Sequence, residues 1–493
     1  MLGRYVSSPQ GRSRLDAVAP HCDRARLEED LAECGEAIDY LRSAAAPKPA
    51  ARGAAVRLDF AALPDLTQAV HKIRIEGASL DPPELTGVLA LLDRAADVKA
   101  VLGSVGGRFP RLGRRGAQIA EFRPLLRDLA GKIEPDGTVS SRASVALGRV
   151  RRDIERQRRA VQESLERFLR AHREEGLLQE EIVTIRNERF VVPVIAGQRR
   201  RIQGVIHGAS STGHTLFVEP LETIELNNDL VRLAEEELRE VHRILREMTE
   251  RLREYGGAIA VAADTLGALD LVFGKARFAV EFDCVVPRFS PDGAPRLDLR
   301  EARHPLLEDV LRRQRKRVVG CTITLEGGGR TLLISGPNTG GKTVALKTAG
   351  LVSLMAQAAI PVPCASAELP VFEQVLADIG DNQSIQASLS TFSAHVSRLR
   401  EMALDATSGS LVLLDEIGAA TDPEEGGALG VAVVDQFRAA GAFTLASTHL
   451  LPLKVYGATT PGVVNASMGF DEETLQPSYE MRTGLPGKSA GLD

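Results

Sequence analysis

One short stretch limits the fold more than any other. Leu332 to Thr343 reads L-L-I-S-G-P-N-T-G-G-K-T. The apolar run Thr331 to Ile334 has the composition of a buried strand, and Val344 to Ala356 that of a helix. Between them stands Gly336-x-x-x-x-Gly341-Lys342-Thr343. A strand that passes into a helix through such glycines can turn successive backbone N–H groups inward on a phosphate, and the helix N-terminus adds partial positive charge. Gly336, Pro337, Asn338, Thr339, Gly340 and Gly341 would then line the phosphates. Lys342 would reach the terminal ones, and the Thr343 hydroxyl would hold Mg²⁺. A glycine-rich turn that matches by chance seldom carries both flanks. The expectation is a nucleoside triphosphate site on an α/β domain with a largely parallel sheet.

Composition narrows the rest. A length of 493 residues leaves room for about three domains. The hydrophobic share of 44% and charged share of 26% are those of a globular chain. No apolar run is expected to reach the roughly 18–20 residues that span a bilayer, and Met1 to Pro9 has no signal-peptide core, so the expectation is a cytoplasmic protein with no membrane partner. The five cysteines are scattered without a C-x-x-C pair, which suggests neither a disulfide framework nor a zinc site. A net charge of −5 argues against a wholly basic nucleic-acid coat but leaves room for a local basic surface.

Along the chain, residues 1–140 read as a mostly helical core. Ala25 to Leu41 and Pro83 to Leu102 carry helical apolar patterns, and the Ala/Pro stretch Ala44 to Ala51 reads as a surface loop. Arg108, Arg111, Arg114 and Arg115 fit a solvated loop as well as a phosphate contact. Residues 141–180 hold a long arginine-rich helix, from about Ser141 to Glu175, with a narrow stripe of Leu147, Val150, Ile154, Val161, Leu165 and Phe168. Residues 221–256 hold a second, whose stripe runs Val231, Ala234, Leu238, Val241, Leu245, Met248, Leu252 and Tyr255. Stripes this narrow suit two helices packed on each other, read as an antiparallel pair. Between them, in 181–220, Ile182–Ile185, Phe190–Val194, Arg201–Ile206 and Thr215–Val218 alternate with turn residues, as in a small antiparallel β module at the tip of a helical lever. Arg199, Arg200 and Arg201 give that tip positive charge, for sequence-independent contact with a nucleic-acid backbone or as a merely solvated turn. Residues 257–300 return to the helical core, helical from Ala258 to Phe282 and irregular from Pro287 to Leu299. Strand–helix alternation then fills 301–493.

Further chemistry sits in that last region. Leu411 to Glu416 is an apolar strand that ends in two carboxylates. Beside a phosphate loop, Asp415 would orient Mg²⁺ and Glu416 would polarise the attacking water. Ala442 to His449 is another apolar strand, and His449 at its end would reach the γ-phosphate or the water, or serve only structure. Ser388-Leu-Ser-Thr-Phe-Ser393 precedes an amphipathic helix. Its exposed hydroxyls, those of Ser388, Ser390 and Thr391 among them, would suit a phosphate arriving from a second subunit.

These runs carry a family resemblance. G-P-N-T-G-G-K-T at 336–343, S-L-S-T-F-S at 388–393, L-L-D-E-I-G at 413–418, T-D-P-E-E-G at 421–426 and S-T-H at 447–449 resemble the MutS family of ATPases. I-V-T-I-R-N at 182–187, A-S-S-T-G-H-T-L-F-V-E-P at 209–220 and E-A-R-H-P-L at 301–306 look like its MutS-two branch. The match covers about 140 to 490 and is weaker over the N-terminal helices. It implies a multidomain α and α/β fold: a helical core, two lever helices ending in a β clamp, and an ABC-type P-loop ATPase at 301–493. It also implies ATP with Mg²⁺, and a homodimer in which Ser388 to Ser393 of one subunit completes the other's site. The branch is linked to branched DNA and suppression of recombination, and also to rescue of collided ribosomes.

Two departures bear on function. The branch continues into a long coiled coil and a small nuclease domain, whereas this sequence stops at Asp493, so nuclease activity is not assigned to these residues. Ala420 stands where the family's turn usually has glycine. The preferred expectation is an ATP-hydrolysing clamp on branched or irregular duplex DNA. The alternative is a ribosome-associated ATPase that binds rRNA and splits stalled particles, and it shares every motif. A transporter ATPase would carry L-S-G-G-Q in place of Leu389-Ser-Thr-Phe-Ser393. A DNA-tethering ATPase would place its coiled coil after the phosphate loop.

Overall fold

The computed structural model describes residues 1–45, 58–60, 63–337, 340–380, 390–418, 422–471 and 476–484. In chain order the first helices are α1 (Pro9–Asp16), α2 (Arg24–Ala45), α3 (Thr67–Ile73), α4 (Pro82–Val105), α5 (Pro110–Gln118) and α6 (Arg123–Leu129). Helix α7 (Val145–Ala171) leads into strands β1 (Thr184–Arg186), β2 (Arg189–Ile195), β3 (Gly204–Ala209) and β4 (Thr215–Pro220). Helices α8 (Ile224–Arg253) and α9 (Gly256–Glu281) follow, then β5 (Arg288–Phe289), β6 (Leu297–Ala302), α10 (Pro305–Arg313), β7 (Cys321–Leu325) and β8 (Thr331–Ser335). The remainder runs α11 (Lys342–Gln357), β9 (Ser366–Leu369), β10 (Gln374–Asp378), α12 (Ser390–Asp405), β11 (Ser410–Leu414), α13 (Pro423–Ala439), β12 (Phe443–Thr448), α14 (Leu451–Thr459), β13 (Val463–Asp471) and β14 (Gln476–Thr483). The chain divides into two compact units, each discontinuous in sequence: 1–62, 98–118 and 264–493 form one, and 63–97 and 119–263 the other. Residues 1–140 are therefore shared between the units.

The unit that contains 264–493 holds a six-stranded sheet in the order β10-β11-β12-β8-β13-β14. The first five strands are parallel and β14 closes the edge as an antiparallel hairpin with β13. Parallel strands are buried on both faces, and the alternation within β11 follows from that. Val412 and Leu414 pack with Val434 and Phe437 of α13, Leu399 of α12 and Leu453 of α14. Leu413 points the other way, so close under α11 that a Cβ on Gly350 would stand 2.6 Å from its Cδ1. A second sheet, β5-β9-β6-β7, includes Arg288–Phe289 and Leu297–Ala302. The stretch 287–299, expected to be irregular, thus supplies two strands.

Helix α9 is long and apolar enough by composition to cross a bilayer, contrary to the expectation that no run is. Yet 56% of its apolar window is buried within the protein. Its buried Asp270 accepts hydrogen bonds from Ser7 N, Ser8 N and Ser8 Oγ at 2.9, 2.7 and 2.7 Å, and Phe273 packs edge-on against Tyr40 of α2. Asp270 and these ring contacts make its second half a core helix. Three of the four arginines at 108–115 also differ from expectation, while Arg108 lies exposed in a turn. Helix α5 carries Arg111, Arg114 and Arg115, which pair with Glu29, Glu36 and Glu33 of α2. Three or four residues apart on a helix, they share a face, and that face is taken up by carboxylates.

In the other unit, α7 and α8 pack antiparallel. Ser144 bonds Glu240, Arg151 pairs with Glu237, and Gln157 Nε2 donates to Leu226 O, so one helix descends as the other climbs. Ser144 caps α7 by accepting from Leu147 N at 2.9 Å, which starts the helix three residues inside the expected Ser141. All six stripe residues of α7 are buried. On α8 the stripe is shifted: Leu230 and Leu233 meet α7, whereas Ala234 and Leu238 are exposed. A strict three-four repeat drifts by about 20° per heptad around a straight helix, and the expected stripe spans several turns. The sheet order is β1-β2-β4-β3, antiparallel throughout. Val192, Val194 and Val218 bury one face against Val161, Leu165 and Phe168 of α7.

Candidate nucleotide site

The end of β8 hands over to the loop through backbone that favours glycine. Gly336 has φ of 133° and Gly341 of 93°, a region costly for other residues. Gly340 N closes a turn on Pro337 O at 3.0 Å. A side chain at either end of that turn would press on β13: a Cβ on Gly336 or Gly340 would stand 3.2 Å from Met468 Cβ. Lys342 opens α11, is buried, and donates through Nζ to Gly336 O at 2.7 Å. Burial pushes its ammonium below the ordinary lysine range, against the pull of Glu416 and Asp415. Asn338 and Thr339 lie outside the described residues.

The acidic pair follows β11 directly. Thr343 Oγ1 donates to Asp415 Oδ2 at 2.7 Å, Ser447 Oγ donates to Asp415 Oδ1, and Glu416 N donates to Ser447 Oγ at 2.9 Å. The four residues come from the ends of β11 and β12 and the first turn of α11, which follows β8. The parallel register of β11, β12 and β8 brings those ends side by side. Glu416 itself has φ of 49°, a conformation that costs a non-glycine residue about 1 kcal/mol or more. The turn after it folds back on α13 so closely that a Cβ on Gly418 would stand 2.2 Å from Gly426 O.

His449 follows β12 and is exposed. It stands at the same C-terminal end of the parallel strands, and no hydrogen bond ties it to Asp415 or Glu416 among the described residues. Ser388 lies outside the described residues, and of Ser390 and Thr391 only the backbone is described. That backbone is already helical, since α12 begins at Ser390. The Ser388–Ser393 segment thus enters the helix rather than only preceding it. Sequence reasoning misses Ser447, because a serine inside an apolar strand carries no spacing signal of its own. It also misses Tyr479, in the polar strand β14; the Cδ1 of that ring lies 3.3 Å from where a Cβ on Gly341 would stand. Tyr479 also borders a cavity of about 400 Å³, which His304, Val318, Val319 and Met468 help to line and which reaches the loop at Gly341.

Arg199, Arg200 and Arg201 belong to the other unit, on a 3₁₀ turn between β2 and β3. Arg199 is half-buried over Gly204 O, and Arg201 lies 3.8 Å from Glu175. Arg200 has no ion pair among the described residues. Sequence reasoning also misses Arg186, whose guanidinium lies 4.2 Å over the Phe217 ring. The buried Glu219 escapes it too. That carboxylate joins Arg189, His207 and Asn227 at 2.7–2.8 Å and so ties three strands to α8.

A parallel sheet with a glycine loop between β8 and α11, and with carboxylates at the end of β11, defines the phosphate-loop class of α/β domains. Residues 332–493 match MutS domain V. The chain belongs to the MutS family, on its MutS2 branch. It is 38% identical over 493 residues to Endonuclease MutS2 of Bacillus velezensis, covering 99% of this chain and 60% of that protein. It is 39% identical over 506 residues to Endonuclease MutS2 of Gemmatimonas aurantiaca, covering 100% and 58%. The protein of that name from Geobacillus thermodenitrificans is 38% identical over 496 residues, covering 100% and 61%. The chain thus spans about 60% of the length of these curated relatives.

Proposed function

We propose that the chain is an ATP-hydrolysing clamp on branched or otherwise irregular duplex DNA, acting to restrain homologous recombination. The observation that carries this reading is the hydrogen-bonded chain Thr343–Asp415–Ser447–Glu416 beside the glycine loop. The hydroxyl of Thr343 and the carboxylate of Asp415 are hard oxygen donors of the kind Mg²⁺ takes. When bound there, Mg²⁺ supplies positive charge at the phosphate oxygens. Gly336 to Gly341 hold the phosphates through backbone N–H groups, and Lys342, whose Nζ already lies on the loop at Gly336 O, neutralises them. The adjoining cavity beside Tyr479 and His304 takes the nucleoside. Glu416 accepts the proton of the attacking water, and His449, at the end of the neighbouring strand β12, orients it. Ser388, Ser390 and Thr391 of a second copy close over the terminal phosphate, so the active form is a homodimer through the ATPase domains.

In this reading 141–180 and 221–256 are the levers and 181–220 the clamp. Arg199, Arg200 and Arg201 meet backbone phosphates, an interaction that displaces counterions and so depends on salt. The MutS2 relatives are named endonucleases, but no residue of this chain is proposed as a nuclease group. The test is a salt titration of binding to a four-way DNA junction. Replacing all three arginines by alanine weakens binding and lowers the slope of log K against log salt by about two to three, at roughly 0.9 for each phosphate no longer neutralised. An unchanged slope makes the tip a solvated turn. Co-sedimentation with ribosomes in ATP, with no affinity for junctions, overturns the DNA reading in favour of rRNA.

A further inference from the structure

Asp378 ends β10, next to the strand that carries Asp415, and is almost fully buried. Both its carboxylate oxygens are taken from α12: His395 Nδ1 lies 2.7 Å from Oδ2, and Arg398 Nη1 donates to Oδ1 at 3.1 Å. Its backbone carbonyl accepts from Asp415 N at 3.0 Å. A single residue is thus bonded by its side chain to a helix and by its main chain to the backbone N–H of Asp415, whose carboxylate accepts from Thr343. Burial alone works against an ionised Asp378, so the carboxylate is kept by those two donors. If either is removed, a buried charge is left short of a partner.

We infer that Asp378 and His395 form a positioning link, which sets the place of Asp415 and Glu416 according to the place of helix α12. The link rests on the ATPase reading above and deepens it. Helix α12 begins at Ser390, within the segment proposed to meet the partner's nucleotide. Movement of that helix pulls on Asp378, and the pull reaches Asp415 through one backbone hydrogen bond. From Asp415 it passes to Thr343 Oγ1 and, through Ser447, to Glu416 N. Neither Asp378 nor His395 need touch nucleotide. Their effect falls on the turnover step and not on nucleotide capture, because the phosphate loop itself is built from β8 and α11.

The experiment is steady-state hydrolysis together with titration of a fluorescent ATP analogue, on the whole chain. His395→Ala is expected to lower kcat about tenfold or more while the analogue's Kd stays within about twofold. His395→Asn, whose amide nitrogen can take the place of Nδ1, is expected to restore most of that loss. Full activity in His395→Ala overturns the link. So does a parallel loss of nucleotide affinity and melting temperature, or a failure of asparagine to rescue. The two readings fail separately: a wild-type chain that hydrolyses no ATP removes the ATPase reading and the link with it. An active wild type with an indifferent His395→Ala removes the link alone.

Discussion

Asp415 is engaged at both oxygens by hydroxyls, one from the loop helix and one from β12, and Glu416 beside it keeps its side chain clear of that pairing. The division follows from backbone direction. Asp415 continues the line of β11, whereas Glu416, at φ of 49°, turns away from it. A residue held in that conformation without being glycine is a candidate for function, and this one is a carboxylate at the proposed phosphate site. Glu416→Gln keeps the shape and removes the proton acceptor. We expect ATP to bind the variant with unchanged affinity and kcat to fall by about 10²-fold or more, read as phosphate release against a nucleotide titration. Unaltered turnover would refute the role of Glu416 as base. The glycine loop and the acidic pair are legible in the sequence because each is contiguous and flanked by the right elements. Ser447 and the Asp378–His395 pair are not, since each joins residues from separate strands and helices that only the sheet order brings together.

At the N-terminal end of α7, one carboxylate of α8 bonds to both helices. Glu240 accepts from Arg243 of its own helix and from Ser144 Oγ, the residue that caps α7. The Arg243 bond first, and the Ser144 bond with it, hold the Glu240 carboxyl down at about 2. A carboxyl whose folded value lies below its unfolded one contributes stability above the unfolded value and loses it as pH falls through the folded one. The contribution is therefore present above about pH 4.5 and fades toward pH 2. Glu240→Gln is expected to lower the urea midpoint at neutral pH and to flatten its decline across that window. An unchanged pH profile would mean that the group does not link the helices. At this scale the sequence is a good guide to which elements exist and a poorer one to their faces. The α7 stripe is legible because every member is buried. The α8 stripe is misplaced toward its N-terminal end, where polar neighbours leave its pattern ambiguous and only packing against Val150 and Ile154 decides it.

The match to MutS domain V takes in the phosphate loop, Asp415, Glu416 and His449, so the proposed chemistry lies within one region of one unit. The proposed site also needs a second copy, and that is a property of the whole molecule. Light scattering with and without ATP is expected to give a dimer in ATP; a monomer under both conditions would leave Ser388 to Ser393 with no phosphate to meet. The two-unit division could not be read from the sequence, because no composition shift marks the points at which the chain leaves one unit and returns to it. That division also sets an order in time. Helices α1 and α2 are made before α9, so Ser8 waits for Asp270 and Tyr40 for Phe273. Residues 63–97 and 119–263 can close on themselves first. At about 5–20 residues per second of synthesis, Ser8 and Tyr40 wait roughly 10 to 50 seconds for these two partners. The surfaces of α1 and α2 that meet α9 therefore stay uncovered in the newborn chain until then.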